Sequence, residues 1–81
     1  GPSDLIAPLP ADGPAMEWVR DRLAPRYIRA DAPAVLDAAM REAVRRFQTE
    51  RGLLSDGVIG PETLMALAAG DEGPQLQRAL E

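Results

Sequence analysis

Apolar side chains recur at helical spacing three times along the chain. Met16, Val19 and Leu23 stand at i, i+3 and i+7, one face of an amphipathic helix. Met40, Ala43, Val44 and Phe47 form a second stripe, and Leu64, Leu67 and Ala68 a third. The punctuation between them is as regular. Gly13-Pro14 and Gly60-Pro61 each put proline at a first helical position, where its missing N–H costs nothing. Asp37 is placed to cap the second helix, and Gly52 to end it in the left-handed conformation. Pro25 and Gly70 stop the other two. Helices are therefore predicted near 14–24, 37–51 and 60–69, in an all-α, compact three-helix bundle with short connecting loops. Its predicted core is Val19, Leu23, Met40, Val44, Phe47, Leu53, Ile59, Leu64 and Leu67.

The flanks and loops carry less pattern. Residues 1–13 hold three prolines and no helical period, and read as an extended lead-in to a domain spanning 14–81. Gly73-Pro74 opens a short amphipathic turn with Leu76 and Leu80, a candidate fourth helix. Residues 26–35 read as a loop packed by Tyr27 and Ile28. Glu42 to Arg46 and Arg46 to Glu50 are i, i+4 pairs on the outside of the second helix. The loop L-L-S-D-G-V-I, residues 53–59, is more telling. Leu53 and Leu54 can pack back on the helix end, and Val58 and Ile59 can return to the core. Ile59 can also staple onto Leu64 across the next helix start. The Asp56 carboxylate can accept backbone N–H groups, and Gly57 can supply a positive φ.

Composition narrows the chemistry. At 81 residues this is one small domain, which buries only roughly 60% of its unfolded surface. It has no cysteine, hence no disulfide and no thiolate metal site, and no histidine, the commonest general base and zinc ligand. Carboxylates alone can drive glycoside hydrolysis, but in a deep cleft that so small a helical chain can hardly build. No enzyme activity, metal or cofactor is expected. Nine basic residues, all Arg, against thirteen acidic ones give a net charge of −4. That balance argues against nucleic acid as a partner, since such binding rests on neutralising phosphates. No apolar run approaches membrane-spanning length, and no signal peptide is expected. Gly1-Pro2-Ser3 resembles the remnant of a cleaved purification tag, the expectation being a domain cut from a larger protein.

One run is more specific than its parts. From Ala43 to Leu67 the chain spells A-V-R-R-F-Q-x-x-x-G-L-x-x-D-G-V-I-G-P-x-T-L-x-x-L, which closely resembles the signature of the type 1 peptidoglycan-binding domain. The resemblance implies a small three-helix, non-catalytic module that binds bacterial wall peptidoglycan and holds a larger envelope protein there, at a periplasmic or wall-associated location. The first half fits less closely. Arg20 stands where the family usually has Gln, and Asp37-Ala38-Ala39-Met40 stands where it often has Asp-Gly-x-x-Gly. A narrower resemblance links AMEWVRDRLA, residues 15–24, and the tail GPQL to the periplasmic C-terminal end of the type II secretion assembly ATPase. It implies secretion or envelope proteins as partners of the parent.

The candidate ligand-binding residues are Arg41, Arg45, Gln48, Asp56 and Gly57. Arg41, Arg45 and Gln48 fall at i, i+4 and i+7, a stripe that runs down to Gly52 and the loop. Its guanidinium groups could meet the carboxylates of stem peptides, or simply form a solvated face. Gln48 could bond loop carbonyls and N–H groups or a ligand, and Asp56 and Gly57 are turn residues first. Thr63 is placed to cap or pack the third helix. Trp18 lies off its helix's apolar line, where it could cover the core or stack on a sugar ring. The alternative to wall binding is a protein–protein docking or propeptide-like module. The propeptide version that ligates a catalytic zinc needs a cysteine, which is absent.

Overall fold

The structure, a computed structural model, describes residues 9–70. The expected lead-in up to residue 8, the Gly1-Pro2-Ser3 start and the candidate fourth helix with its GPQL tail lie outside the described residues. Three helices carry the described fold: α1 (Pro14–Leu23), α2 (Ala38–Glu50) and α3 (Pro61–Ala69). All three predicted helices are present, with bounds differing by a residue or so at their ends. No strand occurs among the described residues.

Each helix begins and ends for the chemical reasons the sequence offers. Proline is the first residue of α1 and of α3. Asp37 caps α2, its Oδ1 accepting the Met40 N–H at 2.9 Å. After α1, Ala24 is extended (ψ 151°), as the residue before a proline prefers. At the end of α2, Gly52 takes φ 72°, and two reversed hydrogen bonds close the turn. They run from Gly52 N–H to the Thr49 carbonyl (3.2 Å) and from Leu53 N–H to the Gln48 carbonyl (2.8 Å). This is the glycine-terminated helix end that satisfies the last free carbonyls.

α1 packs on both other helices. The buried core is Met16, Val19, Leu23, Met40, Ala43, Val44, Phe47, Ile59 and Leu67, so most of the predicted core is in place. Leu64 is half-buried against it, with Ile59 inside, as a staple would have them. Four expectations need correction. Leu53 is only half-buried, and Ala68 is exposed although the third stripe included it. Leu54 and Val58 are 77% and 53% exposed. The chain alternates through the loop, so with Ile59 turned inward Val58 must face out.

The arginines also pair differently from their helical spacing. Arg46 donates from Nη2 to the Tyr27 carbonyl at 2.6 Å. Glu50 receives Arg26 (2.7 Å) and the Tyr27 hydroxyl (3.0 Å) on the same oxygen. Neither i, i+4 pair of Arg46 forms among the described residues. An exposed pair on a helix is worth only about 0.3–0.5 kcal/mol, so anchoring the 24–36 segment wins these groups. The same segment brings Tyr27 edge-on to Phe47, ring centroids 5.6 Å apart at 88°. The lead-in joins the fold before α1: Leu36 N–H donates to the Ala11 carbonyl at 2.8 Å, and Leu9 packs on the core.

Candidate functional site

The loop from Gly52 to Gly60 lies along the C-terminal half of α2, and one buried side chain holds it there. Gln48 is 1% exposed. Its Oε1 accepts the Gly57 N–H at 3.0 Å. Its Nε2 lies 2.9 Å from the Val58 carbonyl, 3.0 Å from Thr63 Oγ1 and 3.2 Å from Asp56 Oδ1. Two N–H donors are thus shared among three acceptors, and a single amide joins α2, the loop and the first turn of α3. Sequence spacing places Gln48 at the edge of the apolar stripe. The loop, not the helical core, completes its burial, which is why it sits inside while Arg41 and Arg45 remain exposed.

The turn itself is built as Asp-Gly. Asp56 Oδ1 also accepts the Val58 N–H at 2.9 Å, a side chain standing in for a backbone turn bond. Gly57 is buried with φ 73°. A Cβ there would meet Arg45 Nε at 3.3 Å. Thr49 and Ser55 hydroxyls bond each other and both reach the Arg45 carbonyl, at 3.0 and 3.4 Å, so the first half of the loop is tied to α2 as well. Thr63, expected to cap or pack, is buried and accepts from Gln48.

The residues Asp56, Gly57 and Val58 form a ridge between two clefts. The larger, of about 330 Å³, lies between the loop and α3. Leu53, Leu54, Val58 and Pro61 wall it, Gln48 and Thr63 line its depth, and Asp56 and Glu62 supply carboxylates. The smaller, of about 200 Å³, lies between the loop, the start of α2 and the lead-in, lined by Leu9, Leu36, Arg41 and residues 56–59.

The five candidate residues therefore gather around one loop, in different capacities. Arg41 opens onto the smaller cleft, and its side chain makes no hydrogen bond or ion pair among the described residues. Arg45 lies over Gly57 and donates to Glu42 Oε2 at 3.1 Å, an exposed pair that constrains it little. Asp56 is exposed on the ridge, and Gln48 and Gly57 set its shape. Sequence reasoning did not single out Glu62, Pro61, Leu54 and Leu9 as lining groups. The signal for Glu62 is its place in the first turn of α3, which faces whatever lies at that helix end. Trp18 is 37% exposed with the Arg22 guanidinium 5.3 Å over its ring, so one face is already covered. No group of acidic residues suited to hold a metal ion occurs among the described residues. No described helix is long and apolar enough to cross a membrane.

Comparison with known proteins agrees with this architecture. Residues 12–67, well over half of the chain, match the family model described as "Putative peptidoglycan binding domain". No curated protein and no solved structure matches the chain. The matched segment runs from the lead-in through all of α1 and α2 to Leu67 of α3 and contains the Gln48-held loop. By that match the chain belongs to the peptidoglycan binding domain family.

Proposed function

We propose that this domain binds peptidoglycan of the bacterial wall without catalysing a reaction on it, and so holds a larger envelope protein at a periplasmic or wall-associated site. The observation that carries the reading is the family match over residues 12–67. The ridge of Asp56, Gly57 and Val58 with a cleft on either side gives that function a surface. Arg41 and Arg45 flank the ridge from α2 and provide for carboxylates of the stem peptide, Asp56 contributes from the ridge, and Gln48 and Gly57 keep the loop in shape. Two shallow clefts on a domain this small bury little of a ligand. Affinity then rests on a few polar contacts, multiplied by repeated engagement along the polymer when the parent carries or assembles several copies. A parent resembling the type II secretion assembly ATPase, and with it secretion proteins as further partners, rests on AMEWVRDRLA and GPQL alone.

The test is co-sedimentation with purified sacculi. The domain should pellet with them in a saturable way, and sacculi digested to soluble fragments should no longer carry it down. A domain that stays in the supernatant at every sacculus concentration would overturn the reading and leave protein docking as the function of this surface.

A further inference from the structure

The two clefts beside the ridge differ in charge. The smaller carries Arg41, offset by Asp56, which borders both clefts from the ridge. The larger carries the carboxylates of Asp56 and Glu62 and no basic residue. The first turn of α3 opposes them, because a helix N-terminus acts as about half a positive charge. Two full negative charges outweigh it, so the cleft favours a cation. Its walls are aliphatic, and two of them, Leu54 and Val58, are 77% and 53% exposed, leaving apolar surface for a ligand to cover. The polar groups in its depth are already engaged: Gln48 serves Val58, Thr63, Gly57 and Asp56 Oδ1. Asp56 Oδ1 also accepts the Val58 N–H, which leaves its Oδ2 to face a ligand. Recognition therefore falls to the apolar walls and the carboxylate rim. A third cleft, of about 420 Å³ between α2 and the 24–36 segment, sets Asp37 and Glu42 against Arg29 and Arg46 and has no such preference.

We propose that the larger cleft takes an aliphatic chain ending in a primary ammonium, its methylenes against Leu54, Val58 and Pro61 and its charge between Asp56 and Glu62. Resting on the proposed wall binding, the occupant is the uncrosslinked diamino-acid side chain of a stem peptide. The domain would then read the amine of the peptide on one side of the ridge and a carboxylate on the other.

Sacculi can be compared before and after N-acetylation with acetic anhydride, which removes the ammonium charge. Acetylation should weaken binding of the wild-type domain about fivefold, the upper range for an exposed ion pair. Glu62→Gln should weaken binding to native sacculi similarly and add nothing on acetylated ones, with its melting temperature showing an intact fold. Equal wild-type binding to both sacculi would overturn the proposal while leaving wall binding in place, as would a Glu62→Gln loss of the same size on both. Failure to bind either sacculus would instead remove the wall-binding reading and this occupant with it. A titration followed by amide chemical shifts separates the cleft chemistry itself. Nα-acetyl-lysine amide should move the Gly57, Val58 and Thr63 signals and Nα-acetyl-norleucine amide should not; equal shifts, or none with either, would overturn the ammonium preference.

Discussion

The side-chain carbonyl of Gln48 accepts the backbone N–H of Gly57 at 3.0 Å, in the interior and across nine residues of chain. The same amide donates to Val58, Thr63 and Asp56. A leucine at position 48 would match the size and leave the buried Gly57 N–H without its partner, a desolvation cost of about 1–3 kcal/mol for each stranded group. Gln48→Leu should therefore lower stability in urea by roughly 2 kcal/mol or more, and amide exchange at Gly57 should accelerate beyond that of α1. Unchanged stability would mean that the loop is held by something other than this side chain.

Gly57 raises a different question: whether its missing side chain matters for space or for backbone angle. A Cβ would crowd only the Arg45 side chain, Nε at 3.3 Å, which can move aside; Arg45 Cγ at 3.5 Å and the Arg41 carbonyl at 3.7 Å are ordinary contacts. Its φ of 73° costs a non-glycine residue about 1–2 kcal/mol whatever the space. Backbone angle should dominate. Gly57→Ala is expected to destabilise by about that amount, Gly57→Val by more, and Arg45→Ala should not rescue either. Rescue by more than about 0.5 kcal/mol in the double variant would show that the contact, not the angle, selects glycine.

These two positions also mark how far the sequence could be read. Helix periodicity and the two Gly-Pro starts are local signals, and they located α1, α2 and α3. The Asp-Gly turn and the role of Gln48 as a bonding partner for the loop were legible because Gln48, Gly52 and Gly57 lie close together in the chain. What was not legible was settled by distant packing. Arg46 is drawn to the Tyr27 carbonyl, nineteen residues away, on a segment with no periodicity to read. Gln48 shares a stripe with Arg41 and Arg45 by spacing, and only the loop folding over it separates buried from exposed. Val58 and Ile59 look alike as letters, and the turn geometry sends one out and one in.

Phe47 is 2% exposed, with Tyr27 against its edge and the Arg51 guanidinium 4.9 Å over its face. Truncation to alanine removes the ring and leaves a cavity, at about 3–5 kcal/mol. Small domains hold only about 5–15 kcal/mol in total. Phe47→Ala should thus be largely unfolded at 37 °C by circular dichroism, and a cooperative transition near the wild-type midpoint would place the core elsewhere.

Tyr27 offers a pH signature. Burial pushes its phenol above its ordinary value, and the hydrogen bond to Glu50 adds to the shift. The folded state therefore holds the proton more tightly than the unfolded state. Below the ordinary phenol value of about 10 both states are protonated and Tyr27 adds no pH dependence; above it the unfolded chain releases its proton first and stability falls. The chain has no lysine or cysteine and only one tyrosine, so little else titrates there. Melting temperature should decline as pH rises above about 10, and Tyr27→Phe should flatten that decline while lowering stability at neutral pH through the lost bond to Glu50.

Arg41 and Arg45 look equivalent in sequence, and the structure makes them unequal. Arg45 is paired with Glu42 and lies over Gly57. Arg41 lines the smaller cleft and its side chain has no hydrogen bond or ion pair among the described residues. A carboxylate arriving from a stem peptide would share Arg45 with Glu42, a weak competitor as an exposed pair, but would meet Arg41 with all its donors available. Arg41→Ala should therefore reduce sacculus binding more than Arg45→Ala. Both variants should keep their helical signal and melting temperature, since exposed helix positions accept alanine well. Binding should also weaken as salt is raised from 50 to 300 mM (about 14 to 6 Å of screening length), and less steeply in Arg41→Ala. An Arg41→Ala/Arg45→Ala double variant that binds sacculi as the wild type does would exclude both arginines and shift carboxylate recognition away from α2.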